Sequence, residues 1–202
     1  MNPLIVLISG PSGVGKDSVI NKLRDNFNSI NVIVTVTTRS IRPGEIDGKD
    51  YIFVDQKDFE RMKTNNEFLE HANVYGNQYG VPKDQVKSAL SGGEDALIKA
   101  DVQGANTIMK LEPSVLSIFI MPESKNDLEK RLTKRMTESK EALKVRLDTA
   151  MTEIYQSGNF EFIVYNKEDH IEQTLEEIEK IIFEAKNASR KRFFNLIDET
   201  AP

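Results

Sequence analysis

The chain has 202 residues, 39% of them hydrophobic and 29% charged, which fits one substantial globular α/β domain and excludes a disordered chain. It contains no cysteine, so disulfides, thiol catalysis and zinc–thiolate sites are excluded and a reducing, cytoplasmic setting is expected. A net charge of −5 disfavours a nucleic-acid surface, and no apolar run approaches the length of a membrane span.

The opening "MNPLIVLISG" has no basic leader before its apolar run and reads as a first strand rather than a signal peptide. Its "LIVLIS" (4–9) is continuous and apolar, as a strand buried on both faces requires. "GPSGVGKDSV" follows, and Gly10, Gly15 and Lys16 fit the phosphate-loop pattern GxxxxGK[ST]. Glycines and the start of the next helix, expected from Lys16 to about Asn26, leave backbone N–H groups free for an anion. The pattern then wants a hydroxyl, but the chain has Asp17. A carboxylate there suits the helix dipole and is also a good magnesium ligand, directly or through water.

"VIVTV" (32–36), "DALIKA" (95–100), "VLSIFIM" (115–121) and "FEFIVY" (160–165) read as further strands. Helical patterns at Gln103–Leu111, Ser124–Arg135 and Glu168–Ala188 lie between or after them, predicting a parallel sheet with right-handed crossovers. Two stretches break the alternation. Residues 37–94 combine a polar loop, short strand-like pieces and the helices "KDFERMKTN" and "KDQVKSALSGG", an inserted lobe with its own small sheet. Residues 131–157 are helical and charge-rich, with little apolar face. One domain is expected: a core at about 1–35, 95–130 and 158–190, a lobe at about 36–94, and a second insertion at about 131–157. The tail "SRKRFFNLIDETAP" reads as a frayed helix end, with Phe193 and Phe194 more apt to dock on the core than to meet a partner.

"TTRSIRPGEIDGKDYIF" (37–53) carries Arg39 and Arg42 beside the hydroxyls of Thr37, Thr38 and Tyr51, enough donors for a phosphate dianion. "EFLEHANVYGNQYGVP" adds Glu70, Tyr75 and Tyr79 near a hairpin turn. "KADVQGA" puts Asp101 at the C-terminal end of a strand, where open α/β sheets bind ligands. His71 and His170 share no ligand spacing and read as ordinary residues.

From about residue 4 to residue 185 these segments resemble guanylate kinases: "GPSGVGK", "TTRxxRxGExxGxDYxF", "YGxxYG", "DVQGA" and arginines at 131, 135 and 146 occur in the family's order and spacing. The resemblance implies an α/β P-loop kinase fold with a central parallel sheet, a GMP-binding lobe and a helical lid. It implies transfer of the ATP γ-phosphoryl group to GMP, and to dGMP, with magnesium, by a monomer or homodimer. ATP would lie on Gly10, Pro11, Ser12, Gly13, Val14, Gly15, Lys16, Asp17 and Ser18. The GMP phosphate would meet Arg39, Arg42, Tyr51 and Tyr79. Glu70 and Asp101 would accept from guanine N1 and N2, with Thr35 nearby as a hydroxyl donor. Lys16, Arg39 and the lid arginines Arg131, Arg135 and Arg146 would carry the transfer.

Many bacterial members place Gly directly after the loop lysine and Ser or Thr next, a position that Ser18 matches, so Asp17 and Ser18 are both candidate magnesium ligands. Val81 stands where the family has a hydroxyl, Lys99 where an acidic residue is usual, and Met136 where the lid has a glycine. Two other readings remain open at this point: a guanylate-kinase-like binding module, or a kinase for another phosphorylated small molecule.

Overall fold

The structure, a computed structural model, describes residues 2–27, 29–74, 76–134, 140–167, 170–188 and 192–198. In chain order its elements are β1 (Ile5–Ser9), α1 (Lys16–Asn26), β2 (Ile30–Val32), β3 (Val36–Thr37), β4 (Ile52–Phe53), α2 (Gln56–Thr64), β5 (Phe68–Val74), β6 (Asn77–Pro82) and α3 (Lys83–Ser91). They continue as β7 (Asp95–Lys99), α4 (Val102–Leu111), β8 (Leu116–Pro122), α5 (Lys125–Lys134), α6 (Lys140–Tyr155), a short 3-10 turn, β9 (Phe162–Asn166), α7 (Ile171–Asn187) and α8 (Asn195–Asp198).

The main sheet has the order β2-β7-β1-β8-β9, and every pairing in it is parallel. Side chains alternate across a strand, so β1 feeds two cores. Ile5 and Leu7 join Ile98, Phe119 and the inner faces of α3 and α4, including Val86, Ala105 and Ile108. Val6 and Ile8 join Leu97, Ile118 and the inner faces of α1 and α7, including Val19, Leu23, Leu175 and Ile178. An apolar run without alternation is what a strand covered on both faces needs. β1 lies between β7 and β8, so the chain winds away from it in both directions. The crevice beyond its C-terminal end is the switch point where such sheets bind ligands.

The run 32–36 does not form one strand. β2 ends at Val32 on the edge of the main sheet, and Val36–Thr37 begins a second sheet ordered β4-β3-β6-β5. Ile33 bridges the two and still packs in the main core. The second sheet rests on α2 through Val36, Phe59 and Phe68, with the two phenyl rings stacked at 4.7 Å. Helix α3 follows this lobe in sequence but packs Val86, Ala89 and Leu90 into the main core.

Two further expectations are corrected. The charge-rich segment does carry an apolar face: Leu128 and Leu132 of α5 and Ala150 of α6 are buried together, with Leu143, Leu147 and Ile154 against them. In its described residues, 192–198, the tail is docked rather than frayed. Phe194 and Leu196 are buried in the main core, and the Glu112 carboxylate accepts from the N–H groups of Asn195 (2.8 Å) and Leu196 (2.7 Å). Of the phenylalanine pair, Phe194 docks and Phe193 stays exposed. Among the described residues, no helix is long and apolar enough to cross a membrane.

Candidate functional site

A cleft of about 530 Å³ opens beyond the C-terminal ends of β1 and β7, between the glycine loop and the hairpin β5–β6. That is ample for a small-molecule site. Its walls carry Ser12, Lys16, Asp17, Thr35, Arg42, Tyr51, Glu70, Tyr79, Val81, Lys99, Asp101, Arg146 and Glu153.

The glycine loop is pinned from several sides. Gly15, the residue before α1, has φ 97°, a left-handed conformation that side chains rarely adopt, and a Cβ there would fall 2.6 Å from the Asn166 amide nitrogen. That amide instead donates to the Val14 carbonyl (2.7 Å), which also accepts from Arg131 Nη1 (2.8 Å). Arg131 Nη2 donates to the Asn166 carbonyl at 3.0 Å, so one guanidinium ties α5 to both the loop and the end of β9. Arg146 Nη2 donates to the Ser12 hydroxyl (3.0 Å), and the Ser12 N–H donates to the Glu153 carboxylate (3.1 Å). Burial raises the Glu153 carboxyl, against the pull of Lys16 and of that N–H.

Lys16 Nζ donates to the carbonyls of Gly10 (2.5 Å) and Pro11 (3.1 Å). Burial pulls its ammonium below the ordinary lysine range, opposed by Glu153 and Asp17. Asp17 takes a third role beside the two its position suggests, because its Oδ1 accepts from Lys99 Nζ at 2.7 Å. Ser18 is exposed and lies outside the cleft wall. Arg135 and Met136, like Tyr75, fall outside the described residues.

On the opposite wall, β5 and β6 pair Glu70 with Val81 and Ala72 with Tyr79. Directly opposed residues of an antiparallel pair point to one face, so all four side chains meet the cleft. Glu70 is buried, and desolvation, reinforced by Asp101, pushes its carboxyl up to about 7. Asp101 caps α4 by accepting from the Gly104 N–H (2.9 Å). A Cβ on Gly104 would lie 2.9 Å from Glu70 Oε2 and 3.0 Å from Asp101 Oδ1. The glycine of "DVQGA" therefore makes room for two carboxylates converging on one spot.

The residues expected to hold the acceptor phosphate differ in where the structure places them. Arg42, Tyr51 and Tyr79 reach the cleft wall. Arg39 sits beside them, 5.2 Å above the Tyr51 ring, but its fork grips Glu45 through Nη1 (3.0 Å) and Nη2 (2.7 Å). Thr37 and Thr38 spend their hydroxyls on stapling β3 to β6: Thr37 Oγ1 donates to the Gln78 carbonyl, and Thr38 Oγ1 accepts from the Gln78 N–H, each at 2.9 Å. The two histidines behave as ordinary residues, with His71 exposed on β5 and His170 preceding α7.

Glu153 and Asn166 went unnoticed in the sequence, and Glu45 stood in the pattern "TTRxxRxGExxGxDYxF" without a role assigned to it. Asn166 had a signal, because it ends a strand of the main sheet on the ligand side. Glu153 had none, being one among 32 acidic residues.

The model of the guanylate kinase family matches residues 1–185. The chain belongs to the guanylate kinase family. A guanylate kinase 2, chloroplastic/mitochondrial, of Oryza sativa subsp. japonica is 42% identical over 195 residues, covering 96% of this chain and 68% of the rice protein. A guanylate kinase of Novosphingobium aromaticivorans is 40% identical, covering 96% of this chain and 87% of its own. The solved guanylate kinase of Anaplasma phagocytophilum superposes with a TM-score of 0.78 at 36% identity, over 93% of this chain and 88% of the other. This guanylate kinase family member is thus an ATP-dependent nucleoside monophosphate kinase, with small-molecule nucleotides as substrates.

Proposed function

We propose that the cleft binds ATP on the glycine loop and GMP, or dGMP, against the β5–β6 face, and transfers the γ-phosphoryl group to give ADP and GDP for purine nucleotide supply. The observation that carries this reading is the convergence of Glu70 and Asp101 across the same cleft from Lys16. Guanine presents donors at N1 and N2 together, and adenine presents neither in that pattern, so two acceptors side by side select guanine. A coupled assay with GMP, dGMP, AMP and no acceptor tests it: turnover with the guanine nucleotides alone is expected, and equal rates with AMP would overturn it.

In this reading Gly10, Pro11, Ser12, Gly13, Val14 and Gly15 wrap the donor phosphates with backbone N–H groups, and Lys16 neutralises charge on them. Arg131, Arg135 and Arg146 act from the helical segment as a lid that adds positive charge and excludes water. Magnesium fits the donor set in kind, because Asp17 offers a half-exposed carboxylate at the cleft and a hard cation takes oxygen ligands. Among the described residues no group of three acidic or histidine side chains is placed to hold a metal ion. Asp17 would therefore hold the ion, directly or through water, beside its contact with Lys99. Ser18, set outside the wall, is the weaker ligand of the two. Magnesium, when bound, would supply positive charge that offsets part of the charge on the donor phosphates. The compartment we infer is the cytoplasm, which suits an acidic, cysteine-free chain.

The acceptor phosphate falls to Arg39, Arg42, Tyr51 and Tyr79. Arg39→Ala and Arg42→Ala are each expected to raise KM for GMP by about tenfold or more and to change KM for ATP little. Equal effects on both substrates in steady-state kinetics would move these arginines to the donor side.

Val81, opposite Glu70, has nothing to donate to the base, whereas threonine has the same shape with a hydroxyl. An unpaired buried acceptor costs roughly 1–3 kcal/mol, so Val81→Thr is expected to tighten GMP about tenfold without helping AMP. Weaker GMP binding by calorimetry would show that the valine packs against the base, leaving Thr35, also buried at the cleft, as the hydroxyl partner.

A further inference from the structure

Strand β7 ends at Lys99, on the central sheet between the two anion sites. Its side chain is 17% exposed and reaches into the cleft. The ammonium touches one group from each side: Asp17 on the helix after the glycine loop, at 2.7 Å, and the Tyr51 ring of the lobe, 4.3 Å to its centroid. A carboxylate and a ring face are both partners that suit a cation. Lys16 lines the same cleft, so two cations face the space between the loop and the lobe. Arg39 also lies over that Tyr51 ring, 5.2 Å from its centroid, and its fork is spent on Glu45.

A plain structural ion pair does not account for this placement. The Asp17 side chain is 58% exposed, and a pair with one partner open to water returns little stability, while sinking an ammonium into a cleft wall is costly. A cation kept charged at such a place has its use when anions arrive. Phosphoryl transfer brings two phosphates, both negatively charged, into contact, and charge placed between them lowers the barrier that their repulsion raises.

We propose that Lys99 is a further catalytic residue of this chain, whose ammonium contacts the acceptor phosphate on the side that faces the transferring group, with Asp17 as the counter-ion that holds it ready. This rests on the reading that ATP and GMP share the cleft. An oxygen of the GMP phosphate forms the new bond to the γ-phosphorus, the bond from that phosphorus to the bridging oxygen of ATP breaks, and ADP leaves with the electron pair. Lys99 stays protonated throughout and supplies charge alone.

The test compares the parent enzyme with Lys99→Gln, Lys99→Arg and the charge-exchanged pair Asp17→Lys with Lys99→Asp. Steady-state kinetics, GMP titration calorimetry and thermal melting are read on each. Parent turnover of ATP with GMP checks the function itself; its absence would overturn that reading whatever the variants do. Given that turnover, Lys99→Gln is expected to lower kcat by about a hundredfold and weaken GMP about tenfold, with an unchanged melting temperature. Lys99→Arg is expected to recover most of both, since it returns the charge. The exchanged pair rebuilds the ion pair but moves the cation onto the loop, and is expected to leave GMP, titrated without ATP or magnesium, bound about tenfold more weakly than in the parent. Recovery of GMP affinity by the exchanged pair would show that the ion pair alone matters, and would overturn the proposal. So would parent-like kcat and GMP affinity in Lys99→Gln, or a loss there that follows the melting temperature and that arginine leaves unrepaired.

Discussion

Lys16→Ala is expected to abolish phosphoryl transfer, with kcat falling by about a thousandfold or more, and to leave the fold intact. The ammonium now rests on the carbonyls of Gly10 and Pro11, which are neutral acceptors. A phosphate oxygen is a charged one, and charge-assisted hydrogen bonds are roughly twice as strong, so the lysine has reason to exchange its partners when ATP binds. No other lysine or arginine stands on the loop itself, residues 10–16, to replace that charge. Stability runs the other way. Burial lowers the Lys16 pKa, so the folded state disfavours its charged form, and the cost is present below lysine's unfolded value of about 10.5. Alanine lifts that cost while leaving two carbonyls short of a donor. The melting temperature at neutral pH is therefore expected to equal or exceed that of the parent. Near-parent turnover in a coupled ATP–GMP assay would remove Lys16 from the reaction, and a large fall in melting temperature would make the lysine a structural residue.

The parts legible in the sequence are those set by local chemistry. Apolar runs marked β1, β7 and β8, because a strand covered on both faces cannot alternate, and β9 at the sheet edge, where buried Val164 stands between exposed Ile163 and Tyr165. The glycine spacing marked the loop, because its backbone conformation excludes side chains at Gly15. What escaped the sequence depends on which distant segments meet. The run 32–36 looks like one strand because hydrophobicity does not say that the chain changes sheets at Ile33. The apolar face of α5 and α6 is thin on each helix and becomes a core only when Leu128 and Leu132 find Ala150. Arg39 looked like a free fork until Glu45, six residues on, came round the loop to it. Asp17 and Lys99 each read as a departure from the family pattern, and 82 residues separate them. Placed together, they form a single feature.

Glu70→Gln is expected to erode guanine selectivity and, at the same time, to make the protein more stable above neutral pH. The carboxyl is buried next to Asp101 and titrates at about 7 instead of 4.5. The folded state therefore holds the proton more tightly than the unfolded chain. Below pH 4.5 both states are protonated and the group is neutral in the balance; the cost of ionising it in place grows as pH rises to 7 and is complete above that. At 1.36 kcal/mol per pKa unit the full cost is about 3 kcal/mol, which glutamine, uncharged at any pH, does not bear. The gain in melting temperature should be clear at pH 8 and vanish in acid. Catalysis is expected to need the form that stability disfavours, since in the proposed reading the carboxylate accepts from both N1–H and N2–H₂ of guanine, which the protonated acid does not. For the parent, kcat/KM for GMP is expected to fall about tenfold per unit as pH drops below 7, while kcat at saturating GMP changes less, because bound guanine holds Glu70 ionised. Glutamine turns one acceptor into a donor facing the base, so kcat/KM for GMP at pH 8 is expected to drop about a hundredfold and its acid limb to disappear. AMP, which never paired with Glu70, is expected to lose little. A parent profile flat through pH 7, or an acid limb that survives in Glu70→Gln, would assign the titration to another group. Parent-like selectivity in that variant would take Glu70 out of base recognition and leave Asp101 to hold the guanine alone.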